Sequence, residues 1–214
     1  MKDTIKILLV DDHAIVRAGF RMLLSVVDTL EVVAEAERGE AACQLYLEKQ
    51  PDVTVLDISM PGIGGLETLR RMCLRDDKVK ILVFSVHDES VFVNRAMAAG
   101  AKGYITKNSA PHILVEAIHK IAGGGIYIEQ GLLKDPCSML NVMDYRAIID
   151  TLSAREFDVF LLLAKGLNAH KVAEELCLGY KTVANYGTKI KNKLHVVSVA
   201  ELAHIALALG LIKG

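Results

Sequence analysis

Five short runs of apolar and β-branched residues mark the first half of the chain: IKILLV (5–10), EVVAEA (31–36), DVTVLD (52–57), VKILVFSV (79–86) and GYIT (103–106). Each is followed by a stretch with helical period. Ile15, Gly19, Phe20, Leu23 and Leu24 recur at helical spacing, as do Ile113, Ala117, Ile118 and Ile121. Such alternation predicts an α/β domain of five parallel strands, doubly wound, with helices on both faces and right-handed crossovers. The glycine-rich AGGGIY (122–127) ends the alternation. Beyond it no clear period holds, Pro136 intervenes, and the segment reads as a linker with a short helix around Leu140–Ile149. From Leu152 the period is purely helical, with helices expected over 153–165, 168–176, 180–194 and 198–210, punctuated by Gly166 and Gly179. The pattern therefore divides into an α/β domain (1–123), a linker (124–149) and an all-α domain of four helices (150–214).

Composition narrows the class. The 214 residues are 52% hydrophobic and 24% charged, which is globular. No apolar run approaches the ~18 residues of a membrane span, and the apolar run in MKDTIKILLVDDH is too short for a signal peptide. Cys43, Cys73, Cys137 and Cys177 form no CxxC pair, which fits reduced thiols and a cytoplasmic location. The seven histidines show no HExxH or Cys/His cluster that would hold structural zinc. Charge divides with the pattern: residues 1–130 carry 15 basic and 18 acidic side chains, net −3, and residues 131–214 carry 10 and 8, net +2.

In open parallel sheets, ligands bind beyond the carboxyl ends of the strands. Asp11 and Asp12 end the first run, Asp57 the third and Ser85 the fourth, while Lys107 follows the fifth. Three carboxylates in one pocket repel unless a cation joins them. A hard divalent ion with oxygen ligands is the natural partner, and Mg2+ with carboxylates and a phosphate fits best. Lys107 adds a point charge for phosphate oxygens, and Ser85 adds a hydroxyl. A carboxylate nucleophile in this company makes a site that accepts a phosphoryl group. No GxxxxGK[ST] or GxGxxG follows any strand, so nucleotide binding has no support.

On these motifs (LLVDDH, LDISMPGIGG, Ser85 and GYITK) residues 5–122 resemble the flavodoxin-like receiver domain of bacterial two-component response regulators. The resemblance implies that Asp57 is phosphorylated from a sensor histidine kinase or a small phosphodonor. It implies that Asp12, Asp57 and the backbone carbonyl of Ser59 ligate Mg2+, with Asp11 acting through water. Ser85 and Lys107 would hold the phosphoryl oxygens, and Tyr104 would be the aromatic that reports the switch. Many receivers place proline after the lysine; here it is Asn108. His13 and His87 read as solvated loop histidines, His87 at a position where the family tunes phosphate lifetime.

The stretch LGYKTVANYGTKIKNKL (178–194) carries Lys181, Lys189, Lys191 and Lys193 and no acid. On a helix, Val183, Tyr186, Gly187, Ile190 and Leu194 share the face to be buried. The outward positions hold Lys181, Thr182, Ala184, Asn185, Thr188, Lys189 and Asn192. Small polar and cationic residues without acids suit a major groove, where Asn reads adenine, Thr touches a methyl and Lys meets guanine or phosphate. With the preceding helix and the turn at Gly179 they make a helix-turn-helix. The last helix bears Val199, Leu202, Ala203, Ile205, Ala206, Leu207 and Leu209, more apolar circumference than one core stripe needs.

Residues 150–214, through LSAREFDVFLLLAKGLNAHKVAEELCLGYKTV and AEL at 200–202, resemble the LuxR-type helix-turn-helix of NarL/FixJ-class response regulators, with a weaker hint of the GacA/UvrY branch. Gly179 stands where the family usually has a serine N-cap. Gly187 lies inside the recognition helix, and close approach to the helix over 168–176 is the expected reason. The resemblance implies a transcriptional regulator that phosphorylation releases to bind double-stranded promoter DNA as a homodimer, with RNA polymerase as a further partner and no membrane association. An aspartate-nucleophile phosphatase would need a second acid where Ser59 stands, so no enzyme activity is expected beyond autophosphotransfer and autodephosphorylation. A phosphate-independent transcription factor whose receiver is only a protein-docking module is the alternative.

Overall fold

The computed structural model describes residues 4–132 and 140–212; Pro136 and Cys137 lie outside them. The chain forms two compact units, Met1–Leu133 and Lys134–Gly214.

In the first unit, β1 (Ile5–Val10), β2 (Leu30–Ala36), β3 (Val53–Leu56), β4 (Ile81–Ser85), β5 (Gly103–Thr106) and β6 (Tyr127–Ile128) alternate with α1 (Ala14–Ser25), α2 (Gly39–Lys49), α3 (Gly65–Arg75), α4 (Ser90–Ala98) and α5 (Pro111–Ala122). The sheet order is β2-β1-β3-β4-β5-β6, and every pairing is parallel. β3, β4 and β5 are buried at every position, as strands covered on both faces must be. On one face Ile7, Leu9, Val53, Val55, Leu82, Phe84 and Ile105 pack against Leu24 of α1 and Leu114, Ala117, Ile118 and Ile121 of α5. Phe20 meets Phe84 edge to face with centroids 4.5 Å apart. The strand order reverses between β1 and β3, so the crevice of this sheet opens between Asp11–Asp12 and Asp57.

Among the described residues the sheet has six strands, where the periodicity predicts five. β6 lies in the stretch expected to be linker. Gly103 admits it, because a Cβ there would stand 2.6 Å from the Tyr127 carbonyl oxygen. A strand of two residues has no alternation to read, and only its pairing with β5 defines it.

The second unit holds α6 (Leu140–Asp150), α7 (Ala154–Ala164), α8 (Ala169–Glu175), α9 (Tyr180–Leu194) and α10 (Val199–Ala208). α6 is the short helix expected in the linker, but it packs against α9 and α10 and makes a fifth helix of this unit. Ser153 with Glu156 and Ser198 with Glu201 form capping boxes that start α7 and α10. Gly166, at φ 88°, takes the left-handed residue that closes α7. Phe157, Phe160, Val172, Val183, Ile190, Leu194, Leu202 and Ile205 fill the core.

Candidate functional site

The pocket at the crevice is built from strand ends. Lys107 Nζ donates to Asp11 Oδ2 at 2.5 Å and to Asp57 Oδ2 at 2.6 Å. Asp57 is 2% exposed, and the Ser59 N–H donates to its Oδ1 at 2.9 Å. Burial pushes the Asp57 carboxyl above its ordinary range, and Lys107 counteracts this without overcoming it. Burial also works against the Lys107 ammonium, but Asp57 and Asp11 outweigh it and hold that pKa above the usual lysine value. The lysine therefore stays charged at neutral pH.

Asp11, Asp12, His13 and Asp57 offer ligand atoms that all lie within 4.8 Å of one another. Both Asp11 oxygens are engaged, Oδ2 by Lys107 and Oδ1 by the His13 N–H at 2.8 Å. Among the described residues nothing donates a hydrogen bond to the buried Asp12 Oδ1, whose near neighbour is His13 Nδ1, 2.9 Å away. A cluster of hard oxygens with an unsatisfied carboxylate oxygen fits Mg2+.

On the neighbouring strand end, Ser85 is fully buried and its Oγ accepts from the His87 N–H at 3.2 Å. Tyr104 is fully buried too, and its hydroxyl donates to the His87 carbonyl at 2.9 Å. Burial raises the Tyr104 pKa well above the ordinary phenol range. His87 is not a solvated loop histidine. Its ring stacks on Phe92 at 3.9 Å and 10°, and its side chain is 18% exposed. Phe92 lies in the first turn of α4, a contact invisible to the local pattern around Ser85. His13 does sit at the surface, with its side chain 64% exposed. Gly65 lets α3 begin against the pocket, since a Cβ there would collide with the Asp57 carbonyl and the Ile58 backbone.

The second candidate surface is α9. Val183, Gly187, Ile190 and Leu194 are buried, while Lys181, Thr182, Ala184, Asn185, Thr188 and Lys189 are all exposed, as the helical pattern predicts. Thr188 Oγ1 donates back to the Ala184 carbonyl at 3.1 Å, so its methyl is the group left to present outward. Lys193 does not belong to the outward set: its Nζ donates to Glu156 Oε2 at 2.8 Å. Tyr180 stacks on His170 at 4.3 Å and ties the head of α9 to the head of α8. No periodicity could show that contact, because it joins two helices across the turn. Gly187 does not face α8 closely. A Cβ there meets Leu163 of α7 at 3.5 Å, an ordinary contact.

Among the described residues no helix is long and apolar enough to cross a membrane. The family model "Response regulator receiver domain" matches residues 7–119, and "Bacterial regulatory proteins, luxR family" matches residues 150–206. The chain is a response regulator of the NarL/FixJ class. The transcriptional activator protein ExaE of Pseudomonas putida is 40% identical over 209 residues, covering 97% of this chain and 98% of its own. Response regulator GacA of Pseudomonas aeruginosa is 36% identical over 209 residues with the same coverage. RcsB of Salmonella enterica serovar Typhimurium, solved bound to promoter rprA with phosphomimetic BeF3-, shares the fold. It has a TM-score of 0.66 at 21% identity and covers 95% of this chain and 98% of its own. This response regulator thus couples a receiver to a DNA-binding domain for transcription regulation.

Proposed function

We propose that Asp57 accepts a phosphoryl group from a sensor histidine kinase and that this modification controls promoter binding by α9. The observation that carries the reading is Lys107, held between Asp11 and Asp57 at the crevice of the sheet. An Asp57 carboxylate oxygen attacks phosphorus, the P–N bond of the kinase phosphohistidine breaks, and the imidazole leaves with the electron pair and takes up a proton. Asp12, Asp57 and the Ser59 carbonyl would hold Mg2+, with Asp11 acting through water. Bound there, Mg2+ supplies positive charge against that of the transferring phosphoryl group. Lys107, charged and already at the nucleophile, moves its hydrogen bonds to the phosphoryl oxygens, and Ser85 adds its hydroxyl. Turning Ser85 disturbs the His87 N–H and the Tyr104 hydroxyl site, so β4–α4 is the element that the new charge biases.

The kinase has a surface to meet. α1 begins at Ala14, next to Asp11–Asp12–His13, and presents Ile15 and Met22, with Val26 at its C-cap, at 89%, 72% and 79% exposure along one side. A phosphohistidine donor that reaches Asp57 crosses this face, and an apolar helix of the kinase fits it. For the homodimer, Val199 and Leu207 on α10 are 42% and 44% exposed beside Ala203. Two half-sites bound by a dimer convert modest single-domain affinity into useful binding.

Intact mass after incubation with acetyl phosphate and Mg2+, beside Asp57→Ala and an EDTA control, tests the switch. One phosphoryl adduct on the wild type alone is expected. No adduct would sink the phosphorylation reading and leave α9 under the control of a partner protein or of dimerisation.

A further inference from the structure

Lys107 sits on the loop after β5, and the loop has no ring to fix its backbone, because Asn108 follows the lysine. The backbone is nevertheless held from both sides. On the β4 side, the Lys107 N–H donates to the Ser85 carbonyl at 2.7 Å. On the other side the ladder with β6 pairs Gly103 with Tyr127 and Tyr104 with Ile128, and the Glu129 N–H donates to the Tyr104 carbonyl at 3.0 Å. One more step of a parallel ladder would bring the Thr106 N–H to the main-chain carbonyl of residue 129. Glu129 supplies its side chain instead: Oε2 accepts from the Thr106 N–H at 2.9 Å.

The same oxygen lies 2.6 Å from Ser109 Oγ. Ser109 Oγ is also 2.7 Å from the Thr106 carbonyl and 3.0 Å from Thr106 Oγ1. Ser109 has one hydroxyl proton, and the carboxylate is the stronger and closer acceptor. Thr106 Oγ1 can then donate to Ser109 Oγ. One carboxylate oxygen thus closes a ring around Thr106–Ser109, the four residues that contain Lys107. Thr106 is only 8% exposed, so its N–H would lose its partner inside the protein if Glu129 were truncated.

We infer that Glu129 is a positioning residue for Lys107: from the position just after the edge strand its carboxylate fixes the loop that places the ammonium between Asp11 and Asp57. The inference rests on the reading of Asp57 as the phosphoacceptor. It gives β6 a purpose, since two residues of ladder contribute little stability but aim Glu129.

The test is the rate of phosphoryl uptake from acetyl phosphate at saturating Mg2+, followed by intact mass in the full-length protein. Glu129→Ala should slow uptake about tenfold, as expected when a reacting group is loosened rather than lost. Its Mg2+ affinity, measured by calorimetry, should stay at the wild-type value, because the metal-binding acids lie elsewhere. Glu129→Gln keeps an acceptor oxygen and should retain most of the rate. Ser109→Ala, which removes one bond of the ring, should fall between. In a Lys107→Ala background, Glu129→Ala should slow uptake no further. A wild-type rate in Glu129→Ala, or undiminished slowing in the Lys107→Ala background, overturns the inference. An absence of any adduct on the wild type overturns the reading of the pocket itself.

Discussion

Lys193 Nζ lies 2.8 Å from Glu156 Oε2, joining the end of α9 to the capping box of α7. The Glu156 carboxyl is opposed by burial yet held below its ordinary range, chiefly by Lys193 and the Ser153 N–H. The four lysines of the basic stretch are therefore not equivalent. Lys193→Ala should cost up to about 1 kcal/mol of stability, as a partly exposed pair does, and leave the salt dependence of DNA binding unchanged. Lys189 acts on Glu156 only as a more distant charge, so Lys189→Ala should lower stability less than Lys193→Ala, weaken binding to all sequences and lower the salt slope by about 1. Thermal melts and a salt titration of operator binding separate the two.

Asn185 is exposed on the outward face of α9, one turn before Lys189. Its amide can make a bidentate pair with adenine. Asn185→Ala should cost about 1–3 kcal/mol against the preferred operator and much less against a scrambled duplex. Equal losses on the two duplexes, measured by anisotropy, would show that Asn185 reads no base.

Among the described residues a methyl at Gly187 would meet only Leu163, at 3.5 Å. Glycine costs a helix interior roughly 1 kcal/mol against alanine, so Gly187→Ala should stabilise the second unit by about that amount. A chemical melt that shows destabilisation would mean that α7 and α9 cannot accommodate the methyl.

Mg2+ should raise the melting temperature, because an ion that binds only the folded chain stabilises it by mass action, about 2.7 kcal/mol at a hundredfold excess over Kd. EDTA should reverse the rise, and Asp12→Asn should abolish most of it without unfolding the protein. An equal rise in Asp12→Asn would place the ion elsewhere.

Glu67 accepts from Arg70 Nε and Nη2 and from Arg71 Nε, each at 2.8 Å. Hydrogen bonds from Arg70 come first among the causes that hold its carboxyl at about 2, against an ordinary 4.5. A depressed carboxylate pKa contributes stability that is fully present above the unfolded value and lost as pH falls through the folded one. Glu67 should therefore contribute to acid destabilisation between about pH 4.5 and 2. Glu67→Gln should be less stable at neutral pH and show a shallower decline across that window in denaturant melts.

The strand runs, the helical faces and the polar strand ends were legible in the sequence because each is a property of one element and its own solvent boundary. A strand buried on both faces needs a continuous apolar run, as at Ile81–Phe84, and a helix lying on a core needs a stripe, as at Val183, Ile190 and Leu194. Asp11, Asp57 and Lys107 could be assigned to one rim because parallel strands share a direction. Which elements adjoin could not be read that way. The tertiary structure alone decided that Tyr127–Ile128 pairs with β5 and brings Glu129 to Thr106 and Ser109, that α6 packs with α9 and α10, and that His87 lies on Phe92. It also gave Lys193 to Glu156 and set Gly187 against Leu163. Periodicity records how each element meets water. It carries no record of the particular partner on the other side, which long-range packing selects only when the whole chain has closed.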